Sequence, residues 1–117
     1  PTGILRISAP ETTAWDLVRY HKAAGGLENV ITVLSELAEK LDRNKLRDAV
    51  KRHGELIVAQ RMGYLLDKIH RQDLSKGFAG LIKNAPLRPL DPTASPSGAS
   101  TSRKWRILVN ARIEPEA

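Results

Sequence analysis

The chain has 117 residues, of which 41% are hydrophobic, so we expect one folded domain with an ordinary core rather than a disordered chain. It contains no cysteine, which excludes disulfides, thiolate metal sites and cysteine catalysis and suits a reducing cytoplasm. The formal net charge is +6, and residues 39–83 carry most of the excess, with eleven basic and six acidic side chains. This excess suggests an anionic partner or, more plainly, a soluble protein with Lys-rich helix surfaces.

Membrane insertion and secretion are not predicted. No apolar run approaches the roughly 18 residues needed to cross a bilayer, and no secretory signal is visible. We therefore expect a cytoplasmic location and no membrane partner. The first residue is Pro1 and not Met, which is compatible with a piece of a longer protein.

The N-terminal residues predict a short strand followed by a helix. Ile4–Ser8 is rich in β-branched and apolar residues and ends before a proline. Pro10 suits the first turn of a helix, Glu11 complements the positive end of the helix dipole, and Ser8 is the expected cap. The pair Gly25-Gly26 is expected to end this helix.

Two further helices follow. The second predicted helix has one apolar stripe with three- and four-residue spacing, formed by Leu27, Val30, Ile31, Leu34, Leu37, Ala38 and Leu41. Asp42 is expected to cap a third helix over residues 43–53, which Gly54 ends.

The fourth predicted helix, Leu56–Ile69, is apolar around nearly its whole circumference, which is typical of a helix inside a protein. We therefore predict that the other helices pack around it. Gly63 costs about 1 kcal/mol relative to alanine in a helix interior, and a closely passing backbone would explain its presence.

The remaining chain predicts a fifth helix and then extended structure. Asp73 could cap a helix whose apolar stripe is Leu74, Phe78, Leu81 and Ile82, although Gly77 and Gly80 weaken it. Three prolines make residues 86–92 extended. Residues 93–102 are rich in Ser, Pro, Gly and Thr and predict a flexible loop.

Alternating apolar and polar residues over Trp105–Glu114 predict a final strand. It would pair with the N-terminal strand or with a strand outside this chain. The whole sequence therefore predicts a single α+β domain over residues 1–117, with about five helices around helix 56–69 and a small sheet from the N- and C-terminal strands.

The third predicted helix carries the clearest charge pattern. Arg43, Arg47 and Lys51 recur every four residues and would line one face, while Lys45 and Arg52 add to its surface. Such a row could contact the phosphates of a DNA backbone without reading sequence. A solvated helix surface explains the same pattern equally well.

Arg61 is the second candidate site residue, because it lies on the most apolar helix. A buried guanidinium needs a partner, since burying an isolated charge is very costly. We expect an internal ion pair, with Asp16 or Asp67, or a contact with a bound anion.

Enzyme signatures are sparse. The sequence has no Gly-rich phosphate loop and no paired-histidine metal motif, so we predict no catalytic residue, metal or cofactor. His21, His53 and His70 lie near helix ends, where a histidine commonly bonds the last carbonyls. Trp15 and Trp105 are expected in the core.

Several stretches resemble AbiEi-type antitoxins, the transcriptional-regulator partners in abortive-infection toxin–antitoxin systems. They are Pro10–Tyr20 (PETTAWDLVRY), Val33–Leu37, Gln60–Leu66 (QRMGYLL), and Leu90–Pro92 followed by Lys104–Asn110. They occur in the family's order and span nearly the whole chain. Each stretch alone would be weak, but four in order make the resemblance specific.

The resemblance implies the C-terminal domain of such a regulator. Family members carry an N-terminal winged helix that binds operator repeats and represses their own operon. Their C-terminal domain is associated with neutralising a nucleotidyltransferase-like toxin of the AbiEii type, often without a stable complex. No winged helix precedes Pro1, so the resemblance implies DNA as a partner mainly through that domain, and the cognate toxin as a functional partner.

Two other classes of function remain open. One is a helical interaction or dimerisation module with a basic face that contacts the DNA backbone. The other is a nucleic-acid-processing enzyme, which would need carboxylates and basic side chains converging in one cleft.

Overall fold

The structure is a computed structural model and describes residues 9–113. The α-helices are α1 (Pro10–Arg19), α2 (Leu27–Leu37), α3 (Arg43–His53), α4 (Leu56–Lys68) and the short α5 (Gln72–Ser75). Single 3-10 segments follow α2 (Ala38–Lys40) and α5 (Ala79–Ile82), and the strands are β1 (Arg88–Pro89), β2 (Ser100–Ser102) and β3 (Ile107–Val109). This architecture confirms the predicted α+β class. The predicted strand Ile4–Ser8 and the Ser8 cap lie outside the described residues.

Helix α1 is tied to the start of α3 by a buried acid. Ala9 precedes the helix and Pro10 occupies its first position, as the sequence predicts for the proline. The Glu11 side chain is 3% exposed and accepts a hydrogen bond of 2.8 Å from the backbone N–H of Asp42. Glu11 therefore joins two helices in addition to lying at the positive end of its own helix.

The predicted ends of α3 are confirmed. The Asp42 carboxylate accepts a hydrogen bond of 2.9 Å from the backbone N–H of Lys45, which satisfies one free donor of the first turn. Gly54 ends the helix in the left-handed conformation, with φ of 71°. Helix α2 is shorter than predicted, because the chain tightens into the 3-10 segment before Leu41, which is still buried.

Helix α4 contacts elements from both ends of the chain. It packs against α1, α2, α5, the 3-10 helix Ala79–Ile82 and β3. Its buried residues are Val58, Ala59, Gln60, Met62, Gly63, Leu65 and Leu66. The helix is not covered all round, because Leu56 at its first turn is 42% exposed.

Gly63 is explained by a side chain and not by a passing backbone. A Cβ atom built on Gly63 would lie 2.2 Å from Cζ3 of Trp105. The indole ring therefore contacts the bare helix backbone at Gly63, where the side chain of any larger residue would overlap it. Trp105 also contacts Phe78, with ring centroids 5.5 Å apart.

The prediction of one continuous fifth helix after Asp73 is wrong, because two shorter helical segments form there. The α-helical part ends at Ser75, and Ala79–Ile82 forms a separate 3-10 helix. Gly77 lies in the break, where it packs against the Arg43 side chain. Asp73 is not the cap, since Arg71 holds that position.

The three strands form one sheet in the order β1-β3-β2. Strand β3 is parallel to β1, with Arg88 opposite Ile107, and antiparallel to β2, with Thr101 opposite Leu108. Strand β1 thus comes from the segment predicted as extended, residues 86–92, and β2 from the segment predicted as a flexible loop, residues 93–102. The predicted strand Trp105–Glu114 is also too long, because Arg106 adopts a left-handed φ of 54° just before β3.

Candidate functional site

The basic residues of α3 divide between two edges of its exposed surface. Helical geometry turns about 100° per residue, so Arg43, Arg47 and Lys51 fall within an arc of about 80°. Lys45 and Arg52 fall about 100° further round. The structure therefore brings together three of the five predicted cations, and we call these three the α3 row.

Neighbouring groups leave most of the charge in the α3 row uncompensated. Arg43 and Lys51 are exposed, and neither makes an ion pair within residues 9–113. Arg47 is partly buried, and its Nε lies 3.8 Å from the Asp48 carboxylate, which is too far for a hydrogen bond. The α3 row can therefore attract an anion from solvent.

Arg61 bonds to backbone instead of forming the expected ion pair. Its Nε and Nη2 donate to the Pro89 carbonyl at 3.3 and 3.1 Å. Burial lowers the pKa of the Arg61 guanidinium, Asp91 opposes this change, and Arg88 adds to it. Burial is the largest of these causes, and the charge of Asp91 is the one that opposes it.

Neither aspartate predicted as the partner of Arg61 takes that role within residues 9–113. Asp16 is exposed. The Asp67 carboxylate accepts from Trp105 Nε1 at 2.7 Å and from Ser75 Oγ at 2.6 Å, and it pairs with Lys104 at 3.0 Å. The expected ion pair with either residue is therefore wrong, and the anion contact stays a prediction.

Gln60, the neighbour of Arg61, holds the C-terminal segment to α4. Its side chain is fully buried, and the two N–H groups of Nε2 are shared among the carbonyls of Pro86, Trp105 and Arg106, which lie at 2.8, 3.2 and 3.0 Å. Sequence analysis did not identify this role. The only signal was a glutamine on an otherwise apolar helix, since a buried amide needs partners.

Two stretches that carry the family resemblance meet at Asp91 and Asn110. The backbone N–H of Asp91 donates to Asn110 Oδ1 at 2.9 Å. Asn110 Nδ2 donates back to the Asp91 carbonyl at 2.7 Å and to the Ala94 carbonyl at 3.0 Å. The Leu90–Pro92 stretch and the end of Lys104–Asn110 therefore form one hydrogen-bonded corner.

The Asp91 carboxylate accepts hydrogen bonds from its own turn. Thr93 donates to it from both its hydroxyl, at 2.6 Å, and its backbone N–H, at 2.8 Å. These hydrogen bonds are the main reason that the pKa of Asp91 is lowered, and the nearby charges of His21 and Arg61 lower it further.

The aromatic residues and histidines have mainly structural surroundings. Trp15 and Trp105 are buried, as predicted. His21 Nδ1 lies 3.1 Å from the Val18 carbonyl, which confirms the expected contact with the end of its helix. His53 instead stacks on Trp15, with ring centroids 5.0 Å apart.

The described residues show neither a metal site nor a membrane span. Within residues 9–113, no three of the His, Asp and Glu side chains are grouped so that they could hold a metal ion. No helix in this range has the length and apolarity that a bilayer crossing requires.

Comparison with known proteins gives one result. A family model described as the AbiEi antitoxin C-terminal domain matches residues 1–68. A search of curated proteins and a search of solved structures each found no match. Of the described structure, the matched range includes helices α1 to α4 and ends at the last residue of α4.

Proposed function

The chain belongs to the family of AbiEi antitoxin C-terminal domains, and we propose that it neutralises a nucleotidyltransferase-like toxin in an abortive-infection system. The observation that carries this proposal is the family match over residues 1–68. That range contains the α1–α4 packing, which is the largest helical part of the fold. Membership itself implies an antitoxin, and the type of toxin comes from the resemblance.

We also propose that the α3 row contacts the DNA backbone when the domain is part of a longer autorepressing regulator. Arg43 and Lys51 are exposed and make no ion pair within residues 9–113, so both can approach phosphates. Such contacts position a protein on a duplex without specifying a base sequence. Operator recognition would belong to a winged-helix domain.

Growth rescue tests neutralisation. The 117-residue chain is co-expressed with its cognate toxin, and growth is compared with that of cells expressing the toxin alone. Rescue is expected. A folded and well-expressed chain that gave no rescue would overturn the antitoxin proposal.

Binding to a duplex without operator sequence tests the α3 row. The double variant Arg43→Gln/Lys51→Gln is compared with Lys45→Gln/Arg52→Gln, which removes the same two residue types from the other edge of α3. Each phosphate contact contributes about −0.9 to the slope of log affinity against log salt. We expect the first variant to make the slope shallower by the amount that about two phosphate contacts contribute, and the second variant to change the slope little. Equal slopes for the two variants would remove the α3 row from DNA binding.

A further inference from the structure

A cavity lies where the second half of α4, the loop before β2 and the chain at the end of β3 meet. Its volume is about 440 Å³, which falls within the roughly 300–1,000 Å³ of small-molecule sites. Tyr64 and Lys68 line it from α4, four residues of the range 95–99 line it from the loop, and residues 109–113 line it from the remaining side. We call this site the C-terminal cavity.

The charged side chains of the C-terminal cavity are cationic. Lys68 and Arg112 line it, and no Asp or Glu of residues 9–113 does. Arg112 is exposed and makes neither an ion pair nor a hydrogen bond within that range. Because a concave surface of one charge sign concentrates ligands of the opposite sign, this lining favours an anionic ligand.

Hydroxyl groups line the same space. Ser95 Oγ accepts a hydrogen bond of 3.2 Å from the backbone N–H of Ser97 and keeps its own proton to donate. The hydroxyls of Ser97 and Tyr64 have no hydrogen-bond partner within residues 9–113. The Asn110 amide shapes the wall but is not a free donor, because both its N–H groups bond to backbone carbonyls. Hydroxyl donors beside a guanidinium match the oxygens of a phosphate group.

Another part of the lining is apolar and includes an aromatic ring. Val109, Ala111 and Ile113 line the cavity, and Ile113 is 6% exposed. Tyr64 is partly buried and packs against the hydrophobic core while it lines the cavity. An aromatic side chain of this kind is a surface on which a nucleic-acid base can stack.

We propose that the C-terminal cavity binds a mononucleotide, with its phosphate at Arg112 and Ser97 and its base against Tyr64. The cation and hydroxyls account for the phosphate, and the ring and aliphatic wall account for the base. Inorganic phosphate alone would leave that wall in contact with water. The inference is independent of the antitoxin proposal and of the α3 row, because no residue of α3 lines this cavity.

Two cavity variants have matched controls within the chain. Arg112→Gln removes the cavity cation, and Arg103→Gln removes an exposed arginine that does not line the cavity. Tyr64→Leu removes the ring but keeps an apolar side chain against the core, and Tyr20→Leu removes an exposed tyrosine from another surface. Thermal unfolding confirms that each variant is folded. Arg112→Gln changes an exposed side chain, so it still tests the proposal if Tyr64→Leu does not fold.

The test is a calorimetric titration of the 117-residue chain with AMP, GMP, CMP and UMP, and with inorganic phosphate and the corresponding nucleosides. We expect at least one mononucleotide to bind, and inorganic phosphate and its nucleoside to bind about tenfold more weakly or worse. Arg112→Gln and Tyr64→Leu should each weaken binding of that mononucleotide about tenfold, while Arg103→Gln and Tyr20→Leu should leave it unchanged.

Three results would overturn the proposal. The first is that none of the four mononucleotides binds at millimolar concentration. The second is inorganic phosphate that binds as tightly as the mononucleotide, which would indicate a site for phosphate alone. The third is an equal loss of affinity in cavity and control variants, which would indicate general attraction to a basic chain. Growth rescue measures a different property, so failure of this proposal and failure of the antitoxin proposal are distinguishable.

Discussion

Helix α4 belongs to the helical region, residues 10–68, and also holds residues 84–113, but it does so by different physical means. The first region is four helices whose apolar faces meet, with Trp15, Ile31 and Leu46 fully buried. The second has only eight residues in strands, and much of it is fixed by polar side chains, including Gln60 and Asn110, that bond its backbone. Helix α4 therefore supplies apolar packing to the helical region, and both apolar packing, at Gly63, and hydrogen-bond donors, from Gln60, to residues 84–113.

The largest expected effect comes from the one large ring that joins the two regions. Trp105→Ala removes a buried indole that contacts Gly63 and Phe78 and donates to Asp67. We expect the free energy of unfolding to fall by about 3–5 kcal/mol, measured by urea denaturation. A loss below about 1 kcal/mol would show that the C-terminal region is not docked through this ring.

Gly63→Ala is the next largest change, because the new methyl group would overlap the Trp105 ring. We expect destabilisation of about 1–3 kcal/mol from overpacking. Gly80→Ala is the control, since nothing lies within 4 Å of a Cβ there. In a Trp105→Ala background the overlap is gone, so Gly63→Ala should stabilise by up to about 1 kcal/mol through helix propensity. The same sign in both backgrounds would contradict the packing account.

Gln60→Leu tests the hydrogen bonds by which α4 holds the C-terminal region. It leaves the carbonyls of Pro86, Trp105 and Arg106 without the Gln60 amide as donor. We expect a loss of about 1–3 kcal/mol in unfolding free energy, because the apolar replacement cannot satisfy buried acceptors. Gln72→Leu at the exposed start of α5 is the control and should have little effect. A neutral Gln60→Leu would mean that apolar contacts alone hold the C-terminal region.

The smallest effect is a pH dependence at Asp91. Its pKa is lowered in the fold, chiefly by hydrogen bonds from Thr93. A lowered pKa contributes stability that is present above the usual value of about 3.9 and is lost as pH falls through the folded-state value. Because the side chain is partly exposed, we expect less than about 1 kcal/mol.

The measurement for Asp91 compares unfolding free energies at pH 7 and near pH 2. Asp91→Asn should show a smaller fall between these two pH values than the parent chain does. Thr93→Val loses the hydroxyl but keeps the backbone N–H, so its loss of unfolding free energy should be intermediate between those of Asp91→Asn and the parent chain. An identical fall for Asp91→Asn and the parent would show that the corner is not stabilised by the charge.

The sequence predicts most of the helical region, because its signals are local, but α1 ends at Arg19 and not at the Gly25-Gly26 pair. Asp42 and Gly54 mark both ends of α3, and the stripe from Leu27 to Leu34 identifies the buried face of α2. A cap or a stripe depends on neighbours within one or two turns. The family resemblance is confirmed by the match over residues 1–68, which includes Pro10–Tyr20, Val33–Leu37 and Gln60–Leu66 but not the C-terminal stretches.

The C-terminal region and the site could not be predicted in the same way. The sheet pairs two- and three-residue strands, which are too short to show a period. The partners of Gln60, Arg61 and Asp67 lie 26 to 46 residues away, apart from Ser75 in α5, which lies eight residues after Asp67. Spacing on α3 does predict that Arg43, Arg47 and Lys51 share a face, but not that Arg47 is partly buried while the other two are exposed.

Because α4 contacts both the other helices and the C-terminal region, the chain cannot be shortened at the end of α4 without exposing part of that helix. The family model ends at residue 68, which is also the end of α4, and so suggests a natural place to shorten the chain. A fragment ending there would lose Trp105 from the surface of Gly63 and the three carbonyls from Gln60. It would expose an apolar strip of α4 with a bare amide in its middle. Such a truncation is expected to aggregate on expression, although it retains α1 to α4.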